Sequence, residues 1–123
     1  MRTRNALLQG LHLMKRLDPR ISVNEAIAFL YVAENEGLTV QELADVAGFT
    51  QSTASRSLRA LGPVDSPWSQ GLSLGLVEPF LNPNDGRSHV VRLSAQGREL
   101  RDRLDAVIRQ AATIAPARMT FAA

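Results

Sequence analysis

Leu76-Val77-Glu78-Pro79-Phe80-Leu81-Asn82-Pro83-Asn84-Asp85-Gly86-Arg87-Ser88-His89-Val90-Val91-Arg92-Leu93-Ser94-Ala95-Gln96-Gly97 constrains the architecture more than any other part of the chain. Leu76 to Leu81 reads as a strand, and Asn82-Pro83-Asn84-Asp85-Gly86 is dense turn chemistry. Val90-Val91-Arg92-Leu93 brings the chain back, and Ser94 offers an N-cap for a helix. The stretch predicts a β-hairpin that hands over to a helix, with Arg87 at the tip beside Asp85.

Upstream, Leu43-Ala44-Asp45-Val46-Ala47-Gly48-Phe49-Thr50-Gln51-Ser52-Thr53-Ala54-Ser55-Arg56-Ser57-Leu58 has the build of a helix, a tight glycine turn and a second helix. A helix-turn-helix followed by an arginine-tipped hairpin is the layout of a winged-helix DNA-binding domain.

Length and composition agree with one domain. The chain has 123 residues, 45% of them hydrophobic and 21% charged, an ordinary globular balance. Only 5% are aromatic, so the core must be built mostly from Leu, Val, Ile and Ala, which suits helix packing better than a β-sandwich. The absence of cysteine removes disulfides, thiolate zinc sites and thiol redox switches. Arg2 and Arg4 before Ala6-Leu7-Leu8 imitate a signal peptide, but Gln9, His12, Lys15 and Arg16 interrupt it. No apolar run approaches the roughly twenty residues of a membrane helix, so a cytoplasmic protein is expected.

The net charge of +2 is small, but its distribution is uneven. Glu25, Glu34, Glu36, Glu42 and Asp45 fall in a stretch without Lys or Arg. Arg56 and Arg59 follow in a stretch without acid, and Arg87, Arg92, Arg98 and Arg101 surround the hairpin. Basic charge thus gathers on the two elements that would touch DNA.

Periodicity and caps supply the remaining elements. Leu7, Leu8, Leu11, Met14 and Leu17 predict an amphipathic helix from about Thr3 to Leu17 that ends near Asp18-Pro19. Ser22-Val23-Asn24-Glu25 is a capping box that opens a helix stopping at Gly37, and Thr39-Val40-Gln41-Glu42 is another. Thr50 caps the next helix, which Gly62-Pro63 halts after Leu61. Residues 62–75 are rich in breakers and predict a loop anchored by Trp68. Leu100, Leu104, Val107, Ala111 and Ile114 alternate gaps of four and three, a coiled-coil-like seam that Pro116 ends. Arg98 with Asp102, Arg101 with Asp105, and Asp105 with Arg109 are spaced for ion pairs on the flank of that helix.

The N-terminal residues of the second helix of a helix-turn-helix face base edges. Here the candidates are Gln51, Ser52, Thr53, Ser55, Arg56 and Arg59, with Gln suited to adenine and Arg to guanine. Thr50 and the amides after it would meet a phosphate at the positive helix end. In the hairpin, Arg87 has the shape to enter a narrow minor groove, with Asp85 to orient its guanidinium. Asn84, Ser88 and His89 complete the candidate contacts there. His12 and His89 have no partner histidine or acid cluster nearby in sequence, so no metal site is expected, and no nucleophile motif or phosphate loop points to an enzyme or a cofactor.

These residues resemble the MarR family of winged-helix transcriptional regulators. The resemblance runs from Leu38 to Leu104 and rests on Leu38-Thr39-Val40-Gln41-Glu42-Leu43-Ala44, on Ser55-Arg56-Ser57-Leu58-Arg59-Ala60-Leu61, and on Gly75-Leu76-Val77. Its most specific part is the wing motif, Asp85 and Arg87 followed by Leu93-Ser94 and Gly97. The resemblance implies a homodimer joined through N- and C-terminal helices, with Arg87 in the wing and Gln51, Ser52, Ser55 and Arg56 in the reading helix. Residues 62–75 are an insertion relative to the family, which usually runs almost straight from the reading helix into the wing.

The expected architecture is therefore mainly α with a small β-hairpin: a winged helix-turn-helix in a single domain over residues 1–123. Residues 1–20 and 98–115 supply dimerisation helices through Leu7, Leu11, Met14, Leu100, Leu104, Val107, Ala111 and Ile114. Residues 39–61 form the helix-turn-helix, 62–75 the inserted loop and 76–93 the wing. The expected function is that of a homodimeric transcriptional regulator, a repressor by occlusion on a pseudo-palindromic duplex. Nothing in the sequence supports a small-molecule effector, a cofactor or a membrane partner. The other reading is a winged-helix interaction module serving a replication, partition or phage complex.

Overall fold

The computed structural model describes residues 5–110 and 112–115. Five helices and a hairpin follow one another as α1 (Ala6–Leu17), α2 (Val23–Glu34), α3 (Val40–Ala47), α4 (Gln51–Ala60), β1 (Val77–Asn82), β2 (Asp85–Leu93) and α5 (Ala95–Arg109). This is the mainly α winged helix-turn-helix that the sequence predicts.

Local chemistry explains most boundaries. Asn5 caps α1 by accepting the amide of Leu8, so the helix starts at Ala6; Thr3, the expected start, lies outside the described residues. Ser22 with Glu25 and Thr39 with Glu42 form complete capping boxes on α2 and α3, each satisfying two otherwise orphaned amides. Gly48 ends α3 in the left-handed conformation, at φ 70°, where a β-carbon would be strained.

Helix α2 stops at Glu34, short of the expected Gly37. Gly37 instead turns the chain at φ 97° into Leu38, which bridges Val91 as a one-residue third strand. The amides of Gly37 and Val91 make the bridge, donating to Val91 O and Leu38 O at 2.8 and 2.9 Å.

The hairpin pairs antiparallel from Val77 with Leu93 to Leu81 with His89, then jumps to Asn82 with Asp85. Strand β2 therefore begins inside the expected turn, and residues 86–88 form a bulge without partners on β1. Arg87 stands in the middle of that bulge, beside the tip.

The core joins α2, α3, α4 and the hairpin base. Phe29, Val32, Leu43, Leu58, Leu61, Leu76, Val77, Val91 and Leu93 are its fully buried large side chains. Helix α1 lies antiparallel to α5: Ala6 N donates to Ala112 O at 2.8 Å, and Leu13, Arg16 and Leu17 share a cleft with Gln96, Glu99, Leu100 and Arg103.

Three expectations for α5 change. The helix ends at Arg109, so Ile114 lies beyond it, and Ala111 is outside the described residues. The seam is also partly internal, because Met14, Leu100 and Leu104 are buried within the chain where α1 meets α5. The ion pairs differ as well. Arg103 binds Glu99, Arg101 binds its neighbour Asp102 and Arg98 reaches Glu36, exposed pairs that contribute only tenths of a kcal/mol each.

Candidate nucleic-acid interface

Helix α4, the expected reading helix, is positioned from behind. Ala54, Ser57, Leu58 and Ala60 are buried, which fixes the opposite stripe outward. Thr50 accepts the amide of Thr53 and donates its own hydroxyl to Thr53 Oγ1, both at 3.1 Å. The two threonines thus satisfy one another at the helix start. Gln51, Ser52 and Arg56 stand exposed beyond them, while Thr53 and Ser55 are half-buried. The tyrosine of α2 supports the turn, Tyr31 donating its hydroxyl to Val46 O at 3.1 Å.

Arg59 is tied to its neighbours. Its Nε donates to Ser55 Oγ at 3.1 Å and its Nη1 to Trp68 O at 3.3 Å, with the guanidinium 5.7 Å from the centre of the Trp68 ring. The structure thus groups Arg59 with the inserted loop, and Arg56 alone carries positive charge on the open face of α4. The spacing of Arg59 three positions after Arg56 says nothing about a tryptophan nine residues on, so sequence reasoning has no means to separate the two.

The wing is anchored at its base. Ser94 caps α5 through the amide of Gly97, and its hydroxyl donates to Gly75 O at 2.6 Å while its amide donates to Leu76 O. A β-carbon on Gly97 would overlap the Leu76 carbonyl, so the Leu-Ser and Gly of the wing motif are the parts that let α5 sit against the residue that leads into β1. Glu36 closes the same corner, accepting the amide of Leu93 at 2.9 Å and Arg98 Nη2 at 3.5 Å.

The tip is held by local turns. Asn82 Oδ1 accepts the amide of Asn84, Asn82 Nδ2 donates to Ser88 Oγ, and Asp85 Oδ1 accepts the backbone amide of Arg87 at 3.0 Å. The sequence leads one to expect Asp85 on the Arg87 guanidinium. Asp85 shapes the bulge instead, and no ion pair joins the two side chains among the described residues. Arg87, Asn84 and Asp85 are exposed, and Ser88 is half-buried.

His89 faces the other way. Strand alternation puts residues 89, 91 and 93 on one side, Val91 and Leu93 are buried, and the His89 ring lies 6.4 Å from that of Trp68. The alternation with two apolar residues is a signal available in the sequence. On the outer side, Arg92 stacks over Phe80 at 3.5 Å from the ring centre, a cation–π pair that adds an exposed cation to the wing which the candidate set does not include. Among the described residues no cluster of His, Asp or Glu could hold a metal ion, and no helix is long and apolar enough to cross a membrane.

A polar helix end and an arginine-bearing hairpin on one scaffold invite comparison with solved structures. The transcriptional repressor CouR bound to a 23-mer DNA duplex matches with a TM-score of 0.60 and 21% identity over 85% of this chain and 65% of its own. The S. aureus MepR–DNA complex matches with 0.67 and 18% over 85% and 77%. A mutant of MarR from E. coli complexed with operator DNA matches with 0.60 and 22% over 86% and 70%. The fold is the MarR-type winged helix. At such identities the likeness is one of fold, and the chain spans only 65% of the CouR chain. No protein-family model and no curated protein matches the sequence.

Proposed function

We propose that this chain is a sequence-specific double-stranded DNA-binding regulator of transcription, not an enzyme, that works in the cytoplasm as a homodimer and represses by occluding a pseudo-palindromic site. The observation that carries the reading is the exposed set Gln51, Ser52 and Arg56 at the open start of α4, with Arg87 on the wing of the same domain. Arg56 and Gln51 supply paired donors and acceptors for base edges in the major groove. Arg87 on a thin hairpin suits the negative potential of a narrow minor groove. The α4 N-terminus, with Thr50, suits a backbone phosphate. That CouR, MepR and MarR were solved with DNA supports the same reading.

The homodimer is supported by the apolar groove of about 310 Å³ between α1, α2 and α5. Leu7 and Leu11 are 60% and 52% exposed and Ile108 63%, and Leu30 and Val107 line the same groove. A second copy of the chain would cover these side chains and bring two reading helices to successive turns of one duplex face. The test is fluorescence anisotropy of the full chain on a labelled duplex across a salt series. With phosphates neutralised in both half-sites, affinity should fall by about three orders of magnitude between about 50 and 200 mM salt. A flat response would overturn the DNA reading and leave the interaction module.

A further inference from the structure

Residues 62–75 do not hang from the domain as a free insertion. Gln70 N donates to Arg59 O, Leu74 N to Ala60 O and Gly75 N to Gly62 O, at 3.1, 3.0 and 2.9 Å. The first two staple the segment to the C-terminal end of α4, and the third closes the segment on itself. Within it, Ser69 Oγ donates to Pro63 O at 2.6 Å and Trp68 N to Ser66 Oγ at 3.2 Å. Trp68 is 8% exposed. Gly62 makes room for it, since a β-carbon there would collide with the indole ring and with Ser69 Oγ. Gly62 therefore has a packing role besides ending the helix.

Trp68 touches both halves of the candidate interface. On one side are Arg59, whose guanidinium approaches the ring and bonds the Trp68 carbonyl, and Ser55, which Arg59 holds in turn. On the other side is the His89 ring, tilted 50° to the indole, in the range where aromatic pairs attract one another. Ser55 and Arg59 flank Arg56 in sequence, and His89 stands two residues after Arg87. One side chain thus joins the helix that bears the major-groove candidate to the strand that bears the minor-groove candidate.

We propose that Trp68 is a positioning residue, a strut that fixes the wing relative to α4 so that Arg56 and Arg87 engage DNA as one unit. The proposal rests on the DNA-binding reading for its consequence but not for its mechanics, and the two are tested apart. Amide spectra of the ¹⁵N-labelled full chain without DNA test the mechanics. His89→Ala should move the amides of Arg59 and Ala60, and Trp68→Ala should move those together with the amides of Gly86, Arg87 and Ser88, while Trp68→Phe keeps both sets near wild type. Arg59 and Ala60 amides unmoved by His89→Ala would overturn the strut.

A double-mutant cycle tests the consequence, on a duplex selected by the wild-type protein from a random pool. Arg87→Ala should cost about tenfold in affinity in the wild type but no more than about twofold in Trp68→Ala or His89→Ala, because a wing cut loose no longer presents Arg87. Melting is recorded for each variant, and Trp68→Phe should restore the coupling. Losses that simply multiply would overturn the proposal, since a merely destabilised domain leaves the Arg87 effect intact. A wild type that selects no duplex, with the amide coupling present, would overturn the DNA reading alone.

Discussion

The face formed by α4 and the wing and the face formed by α1, α2 and α5 are made of opposite materials. On the first, exposed polar side chains are backed by closed contacts: Thr50 with Thr53, Ser94 with Gly75, Glu36 with Leu93 and Trp68 with Arg59. On the second, Leu7, Leu11, Leu30 and Ile108 lie open to solvent around a groove. Polar groups that must meet a ligand at fixed spacing need support from behind, because a displaced hydrogen bond is a lost one. Apolar groups need only area and a cover. The first face is thus suited to reading and the second to association.

The largest effect should come from giving the apolar face a charge. Leu11→Asp with Ile108→Asp should yield monomers in sedimentation and weaken binding by about 100-fold or more, the avidity of two linked half-sites being lost. Leu11 and Ile108 are the right pair because both are exposed, whereas Leu104 is buried against Gly10 and its replacement would unfold the protomer. A double variant that stays dimeric would break the contrast between the faces.

On the polar face, Arg56→Ala should cost about 1–3 kcal/mol in affinity and relax base preference, as loss of a base-edge contact does. Arg87→Ala should weaken binding to selected and unrelated duplexes more evenly. Arg87→Ala changing preference more than Arg56→Ala would reverse the two roles.

The support behind that face is tested by Gly97→Ala. Forcing a β-carbon against the Leu76 carbonyl should destabilise the domain by about 1–3 kcal/mol, read as a lower melting temperature. An unchanged melting temperature would mean that the corner yields.

The smallest effect belongs to the end of α1. Asp18 accepts the Arg20 side chain and backbone amide, at 2.8 to 3.1 Å. The Arg20 side-chain hydrogen bond, then its backbone amide, hold the Asp18 carboxyl below its usual range. A depressed carboxylate stabilises the fold above its unfolded pKa and loses that contribution as pH falls through the folded value. Wild type should therefore melt slightly above Asp18→Asn at neutral pH, the gap closing as acid protonates Asp18. Arg20 is exposed and its charge is screened by solvent, so the gap should be small.

Local chemistry can be read from this sequence. Ser22 with Glu25, Thr39 with Glu42, Gly48, Thr50 and Ser94 each announce a helix end because cap and partner lie within three residues. The hairpin follows from turn residues between two apolar runs. Contacts between distant residues cannot be read the same way. Gly37 has the look of a helix stop and gives no hint that Leu38 bridges Val91. Arg59 looks like a companion of Arg56 until the loop brings Trp68 beside it. The four-three spacing of Leu100, Leu104 and Val107 marks an apolar stripe without telling whether α1 or another chain covers it. In the structure α1 takes Leu100 and Leu104.

The decisive measurement is selection of duplexes from a random pool by the full chain. Enrichment is expected for two inverted half-sites whose centres lie about one helical turn, or a multiple of it, apart, with loss of that preference in Arg56→Ala. A pool that emerges unenriched, or a preference that Arg56→Ala leaves intact, would contradict the assignment of α4 as the reading helix of a dimeric DNA-binding protein.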